Sequence, residues 1–188
     1  MSERKRRDAP DAGLELVRSF VNTRDVEEGT DAIAEPAALA AWLAEAGLAT
    51  PSTRATAADV RRAAAVREAL RVELLHNGGH HDDLPCDDAV LDTAARRAKL
   101  RIAFSPEGES RIVADAGGVD GALGGVLAEV HRAQVDGTWS RLKACALDDC
   151  EWAFFNHTKN ASGRWCDMAV CGNRAKARAF RERHSASA

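Results

Sequence analysis

The 188-residue chain has no tyrosine, and aromatic residues make up only 5% of it, although hydrophobic residues reach 45%. Most of the apolar residues are alanine, leucine and valine, so a core built from large stacked rings is excluded. Burial must instead come from helices that pack closely through small side chains. With 29% charged residues, the composition predicts an ordinary globular protein that is mainly α-helical.

Long apolar runs are also missing. The chain opens with MSERKRRDAP, and no apolar segment follows these charges, so we expect no secretory signal. No stretch of about 20 apolar residues that would span a bilayer is present. We therefore expect a cytoplasmic protein that has no membrane partner and whose thiols stay reduced.

The patterns of common catalytic sites are absent as well. Five glycines lie within residues 117–125, but they follow no G-x-G-x-x-G order and no phosphate-binding lysine accompanies them. No Ser/His/Asp or paired-carboxylate constellation is recognisable. We therefore expect that the protein is not an enzyme. We also expect that the glycines form a hinge and a glycine-tolerant helix start, and that residues 126–135 continue this helix.

Four of the five cysteines form two C-x4-C pairs, with fifteen residues between the pairs: Cys145 and Cys150, then Cys166 and Cys171. Thiolates are ligands that zinc prefers, and four of them close a tetrahedral structural site. Two disulfides, or buried thiols without a ligand, are the alternatives, but a reduced chain favours metal. We expect one structural zinc ion and a β-hairpin in the interval between the pairs.

The sequence around these cysteines, RLKAC, DDCEWAFF and RWCDMAVCGNRAKARAF, resembles the CGNR zinc-finger family, which is named for the tetrapeptide at residues 171–174. The resemblance covers nearly all of residues 139–184 and includes Trp165, Met168 and Lys176. The chain departs from the family pattern at Asn156, where an aspartate is expected.

This resemblance implies an alanine-rich N-terminal domain of the kind called ABATE. The segment FVNTRD at residues 20–25, with Trp42-Leu43 and Gly47-Leu48 after it, resembles the opening of that domain. Proteins with this organisation are described as stress-linked transcriptional regulators. The resemblance therefore implies a DNA partner for the C-terminal module.

The distribution of charge agrees with a DNA partner. Residues 141–184 carry nine Lys/Arg against five Asp/Glu, whereas the first 140 residues carry seventeen against twenty-four. The Ala- and Arg-rich run after Cys171 predicts a helix on which Arg174, Arg178 and Arg181 share one side. Guanidinium groups in such a row suit phosphate or guanine contacts. We predict a nucleic-acid-binding set of Lys159, Arg164, Arg174, Lys176, Arg178 and Arg181.

The arginines and the aromatic residues of the C-terminal module both have structural alternatives to a role in nucleic-acid binding. Arg174, Arg178 and Arg181 have the alternative of hydrogen bonds to the cysteine sulfurs or of ion pairs with Asp148, Asp149 and Asp167. For Arg178 and Arg181 we favour DNA. The module's aromatic residues are expected to form a small apolar core rather than a base-stacking platform: Trp152, Phe154, Phe155 and Trp165.

In the N-terminal part, apolar spacing predicts a helix over residues 14–21, although this run also fits a short strand. Further helices are predicted from Glu35-Pro36 to Gly47, from the N-cap Thr56 to about His76, and over residues 85–99. Alternation on either side of Pro106-Glu107-Gly108 predicts a β-hairpin over residues 100–115.

Several polar groups of the N-terminal part have two interpretations. Asn22, Thr23, Arg24 and Asp25 follow a buried run, where they either line an effector pocket or cap the helix and bond the local backbone. Four arginines of the long helix are expected to form a solvated face: Arg61, Arg62, Arg67 and Arg71. The segment His80-His81-Asp82-Asp83 is expected to be a solvated loop, and Cys86 a free thiol.

The sequence as a whole predicts a mainly α protein with a small β-hairpin (α+β) and a C-terminal four-cysteine finger made of a hairpin and a helix. We expect a disordered basic tail at 1–12, an ABATE-like helical domain at 13–137, the finger at 138–184 and a short tail at 185–188. The predicted function is transcriptional regulation, with DNA bound by the finger and a small-molecule effector or a homodimer interface on the body. A protein–protein docking module is the alternative.

Overall fold

The computed structural model describes residues 11–79 and 84–185. The predicted basic tail up to residue 10, the His80–Asp83 segment and residues 186–188 lie outside the described residues.

Six helices are present in the described part: α1 (Ala12–Val21), α2 (Pro36–Glu45), α3 (Ala57–Asn77), α4 (Asp88–Ala98), α5 (Gly118–Val135) and α6 (Asn173–Ser185). They alternate with three antiparallel strand pairs: β1 (Arg24–Asp25) with β2 (Thr30–Asp31), β3 (Leu100–Phe104) with β4 (Ser110–Ala114), and β5 (Leu142–Ala144) with β6 (Ala153–Phe155). The predicted fold class is confirmed.

Helix α1 begins where the Asp11 side chain accepts a hydrogen bond from the Leu14 backbone N–H at 2.9 Å. Its apolar stripe is fully buried, which confirms the helical interpretation of this run over the strand. Helix α3 begins with a reciprocal capping box, in which Thr56 accepts from the Asp59 backbone N–H and Asp59 accepts from that of Thr56.

One helix start differs from the prediction, and another lies within the glycine-rich segment. Helix α4 begins at Asp88 rather than at residue 85, because the Asp87 side chain accepts from the Val90 backbone N–H and caps the helix there. Helix α5 begins at Gly118, so most of the glycine-rich segment forms the start of this helix, as expected. One of its glycines is required by packing, since a Cβ on Gly124 would lie 2.5 Å from that of Ala98.

The hairpin β5–β6 belongs to the core of the body. Leu142, Ala144, Ala153 and Phe155 are buried in the same apolar cluster as the residues of α1, α3 and α5. The Asn77 side-chain amide at the end of α3 donates to the backbone carbonyls of Trp139 and Leu142, both at 3.0 Å. The C-terminal module is therefore joined to the body by a shared core as well as by the chain.

The prediction that four arginines of α3 form a solvated face is wrong for two of them. Arg67 and Arg71 are only 1% and 2% exposed. The Arg67 guanidinium donates two parallel hydrogen bonds to the Asp31 carboxylate at 2.8 Å and a third to the Thr23 hydroxyl at 3.1 Å. The planar fork of arginine matches a carboxylate in this way, so the guanidinium is buried with its donors satisfied.

The second buried guanidinium connects three segments of backbone. Arg71 donates to the carbonyls of Val21 at 2.9 Å, Arg24 at 3.3 Å and Glu151 at 2.8 Å. Glu68 accepts from Arg71 at 2.9 Å. The end of α1 and the finger hairpin are thus attached to the same side chain of α3.

Burial by itself would raise the pKa of Asp31, but hydrogen bonds from Arg67 and from the Ile33 backbone outweigh it and lower the pKa. A lowered folded-state pKa stabilises the protein above the unfolded value, and this contribution is lost as pH falls through the folded value.

We expect the Arg67→Ala substitution to lower the free energy of unfolding by about 3 kcal/mol, because it leaves Asp31 partly buried without its partner. Arg61→Ala is the matched control, since Arg61 is an exposed arginine of the same helix, and it should change the value by less than about 0.5 kcal/mol. Urea unfolding followed by circular dichroism measures both. Equal effects of the two substitutions would contradict the structural role of Arg67.

Candidate metal centre and its helix

The first cysteine pair lies at the turn of the hairpin β5–β6. Cys145 directly follows β5, and its backbone N–H donates to the Trp152 carbonyl at 3.0 Å, which continues the ladder. The backbone N–H of Cys150 donates to the Leu147 carbonyl at 2.8 Å and closes a tight turn. The hairpin therefore encloses the first pair, and the expectation that it would fill the interval between the pairs is wrong.

After β6, the rest of that interval is a loop organised around Asn156, one of the residues at which the chain departs from the family pattern. Asn156 is buried, and its side-chain oxygen accepts from the Thr158 backbone N–H at 3.0 Å and hydroxyl at 2.8 Å. Its side-chain nitrogen donates to the Gly163 carbonyl at 3.4 Å. The amide thus shapes the loop that returns the chain to the first pair, where the Ala146 N–H donates to the Arg164 carbonyl at 3.0 Å.

Cys171 of the second pair lies in a π-helical turn, Met168–Gly172, which leads directly into α6, and Cys166 lies two residues before this turn. The Asp167 side chain accepts from the backbone N–H groups of Ala169 and Val170 and so caps this turn. A Cβ on Gly172 would lie 2.5 Å from the Met168 sulfur, so a larger residue there would displace this exposed side chain.

All four sulfur atoms of these two pairs lie within 4.8 Å of one another and could hold a metal ion. The Sγ atoms of Cys150 and Cys166 are 3.7 Å apart, those of Cys166 and Cys171 3.6 Å, and those of Cys150 and Cys171 3.7 Å. Four thiolates about 2.3 Å from a tetrahedral zinc ion would be about 3.8 Å apart. A disulfide requires about 2.05 Å, so the spacing fits a common metal ligand set and no disulfide links these cysteines.

The electrostatics of the cluster favour a cation. Hydrogen bonds from the thiols of Cys150 and Cys166 lower the pKa of Cys145 to about 3. Hydrogen bonds to Cys145 and Cys150 raise the pKa of Cys166. Burial raises the pKa of Cys171 to about 12. Several buried thiols therefore cannot ionise together unless a positive ion neutralises them, and a coordinated thiol loses its proton.

The aromatic residues of the module divide between two cores. Trp152 and Phe154 are buried against the four cysteines, with Trp165 partly buried beside them. Phe155, by contrast, packs into the body. Successive residues of a strand point to opposite faces, which explains why neighbouring phenylalanines contribute to different cores.

Helix α6 begins two residues after Cys171 and carries five Lys/Arg residues and one glutamate. Lys176, Arg178 and Arg181 are exposed, as are Lys159 and Arg164 of the preceding loop. Arg164 also lies over the Trp165 ring, with its guanidinium carbon 5.6 Å from the ring centroid.

Carboxylates engage two of the arginines that the sequence assigned to nucleic acid. Arg174 donates to Asp149 at 2.8 Å and to Glu27 of the body at 2.7 Å, and Arg178 donates to the same Asp149 at 3.2 Å. The alternative that paired Arg174 with Asp149 is thus realised in the structure, whereas Glu27 was missed because it lies 147 residues away in the chain.

The effector residues proposed from the sequence have partners within the protein. Asn22 caps α1, and its side chain both accepts from the Ala153 N–H at 2.8 Å and donates to the Ala153 carbonyl at 2.9 Å. The Thr23 hydroxyl donates to the Phe20 carbonyl at 2.8 Å. Asp25 accepts from the Glu28 backbone N–H at 3.2 Å, and Arg24 is exposed. Asn22 in this way joins α1 to the finger hairpin.

A helical body that shares its core with a four-cysteine tip defines this protein as a zinc-finger protein of the α+β class. Residues 141–184 match the CGNR zinc finger. Residues 14–146 match the ABATE family, described as "Putative stress-induced transcription regulator". The second match covers more than half of the chain, so the chain belongs to the ABATE family. No curated protein matched it, and within residues 11–79 and 84–185 no helix is both long and apolar enough to cross a membrane.

Chelation of the metal, or Cys166→Ser, should remove the order of residues 156–185 while the hairpin β5–β6 stays protected by the body core, because metal binding and local folding are coupled. Amide hydrogen exchange read by mass spectrometry separates these segments. Ala41→Ser is the matched control, because Ala41 is exposed on α2, away from both groups of metal donors, and it should leave α6 unchanged. A finger that keeps its protection without metal would contradict the prediction.

Proposed function

We propose that the protein is a transcriptional regulator whose finger holds one zinc ion and binds DNA through α6. Four thiolates are the donor set that zinc favours, and they leave no open coordination position for catalysis. We therefore propose a binding role rather than an enzymatic one, in the cytoplasm.

One observation carries this proposal: α6 is exposed, and it begins directly after the turn that holds Cys171, a candidate metal ligand. From Lys176 to His184, every residue except Ala179 is exposed, and the helix is polar on most of its surface. A helix with a polar surface gains little from burial, so it is suited to an external partner. Its excess of cationic side chains matches a polyanion.

Asp149 gives the interface a specific electrostatic property. This carboxylate lies between the guanidinium groups of Arg174 and Arg178 and neutralises part of the charge of α6. All three side chains are partly exposed, so the ion pairs are weak, and DNA phosphates can replace the carboxylate. Lys176 and Arg181 can contact DNA phosphates without displacing the Asp149 carboxylate.

We expect Arg181→Ala and Lys176→Ala to weaken binding to a 30-base-pair mixed-sequence duplex and to lower the slope of log affinity against log salt by about one each. Asp149→Asn should strengthen binding, because it releases Arg178 and removes one of the two carboxylates that Arg174 contacts. Arg96→Ala is the matched control, since Arg96 is an exposed arginine on α4 of the body, and should change neither quantity. Fluorescence anisotropy from low to high salt measures all four variants.

A protein–protein docking module is the second candidate, and the exposed apolar side chains of the module favour it. Met168 is 52% exposed and Phe180 is 55% exposed. Absence of DNA binding at low salt by protein that retains its metal would reject the DNA proposal and support docking.

For the body, we propose that a cavity of about 320 Å³ receives a small, mainly apolar effector. Its walls come from α3, α4 and α5 and include Val66, Val90 and Leu123. Arg62 and Arg97 line it as well, and both donate to Asp120. This cavity replaces residues 22–25 as the candidate effector site, because Asn22 and Thr23 serve internal contacts.

Filling the cavity tests this assignment. Thr93→Trp places a large ring at its wall and should weaken binding of the apolar probe 1-anilinonaphthalene-8-sulfonate about tenfold, the equivalent of about 1.4 kcal/mol. Asp92→Trp, at the exposed neighbouring position outside the lining, is the control and should not. Equal probe fluorescence in the two variants would reject the cavity as the site.

A homodimer remains a prediction for the body. Ile102 and Phe104 of β3 are 60% and 77% exposed, which favours self-association through this hairpin, and sedimentation velocity measures it.

A further inference from the structure

A second group of metal donors lies on the body, at the end of α3. The donor atoms of Glu73, His76 and Cys86 all lie within 4.8 Å of one another. Within this triad, the Cys86 sulfur is 3.3 Å from the Nδ1 atom of His76. Cys86 was expected to be a free thiol, because in the sequence it has no cysteine at ligand spacing.

The triad is formed by two separate elements. Glu73 and His76 are three residues apart on α3, which places them on the same side of the helix. Cys86 precedes Asp87, the residue that caps α4. The three donors therefore converge from the last turn of one helix and the start of the next.

The donor set has a definite chemical preference. A thiolate, an imidazole and a carboxylate are the ligands of zinc and of similar divalent ions, whereas magnesium and calcium take oxygen ligands. Three protein donors leave a fourth position open, unlike the closed set of four cysteines. Cys86 is exposed and the other two are partly exposed, so an ion can enter from solvent.

The charge of the triad also suits a cation. The thiol of Cys86 donates to the Glu73 carboxylate, and this hydrogen bond, with the nearby negative charge, raises the pKa of Cys86. A divalent ion reverses the effect, because it attracts both the carboxylate and the thiolate.

We propose that Glu73, His76 and Cys86 bind one divalent transition-metal ion of the zinc type, with the fourth coordination position open to water or to an external ligand. This site is independent of the DNA-binding proposal, since no residue of the finger takes part in it.

The position of the triad gives the ion a structural effect. Asn77 follows His76 directly and donates to the carbonyls of Trp139 and Leu142 in the finger connection. An ion bound by the triad links the last turn of α3 to the start of α4, and so braces the turn from which Asn77 holds the hairpin β5–β6.

Cobalt(II) tests the site, because sulfur-to-cobalt charge-transfer absorption reports the number of bound thiolates. Protein whose finger is already filled with one zinc ion is titrated with Co²⁺. The expected result is uptake of one further equivalent, with a charge-transfer band about a quarter as intense as that of a four-thiolate site.

Variants identify the ligands. Cys86→Ser should abolish the charge-transfer band, and His76→Gln should weaken cobalt binding about tenfold or more. His131→Gln on α5 is the matched control, outside the triad, and should bind as the parent protein does. Far-UV circular dichroism checks that each variant remains folded.

Three outcomes would overturn the proposal. They are no cobalt uptake beyond the zinc-filled finger, uptake that is unchanged in both Cys86→Ser and His76→Gln, and uptake that is lost only when His80 and His81 are replaced.

Discussion

The short hairpin β5–β6 is a constraint on which both parts of the molecule depend. One of its faces is buried with α1, α3 and α5, whereas its turn carries Cys145 and Cys150. Since strand residues alternate between faces, a strand of three residues serves the body core and the cysteine cluster at once. The position of the sulfur cluster is in this way fixed by the packing of the helices.

Polar side chains reinforce this arrangement. Asn22 from α1, Arg71 and Asn77 from α3 each hydrogen-bond to the backbone of the finger hairpin or of the segment that leads into it. These groups are partly or fully buried, so loss of one leaves backbone carbonyls without their donors, which costs more than a surface contact would. The body therefore acts as the template on which the hairpin and its first cysteine pair are presented.

Much of this structure followed from local sequence signals. The N-cap Thr56, Pro36 after Glu35, and the alternation around Pro106 are short-range signals, and the elements that they predicted are present. The cysteine spacing likewise identified the cluster of four sulfurs. By contrast, the burial of Arg67 depends on Asp31, 36 residues away, and an arginine on a helix looks the same in sequence whether it faces solvent or a distant carboxylate.

The same reason explains the other differences. The pairing of Leu142 with Phe155 places the hairpin around the first cysteine pair, but strands of three residues give almost no periodic signal. The contact of Arg174 with Glu27 and the meeting of Glu73 and His76 with Cys86 arise only when separate elements pack together. Such contacts depend on the tertiary structure, and the spacing of residues in the sequence does not predict them.

The shared hairpin has a consequence for how the molecule moves as a whole. Many multidomain regulators carry their recognition module on a pliable tether, so that the module reorients freely and samples many directions. Here no tether separates the two parts, and α6 follows the rotational diffusion of the body. Any distortion of the body is accordingly transmitted to the direction in which α6 points.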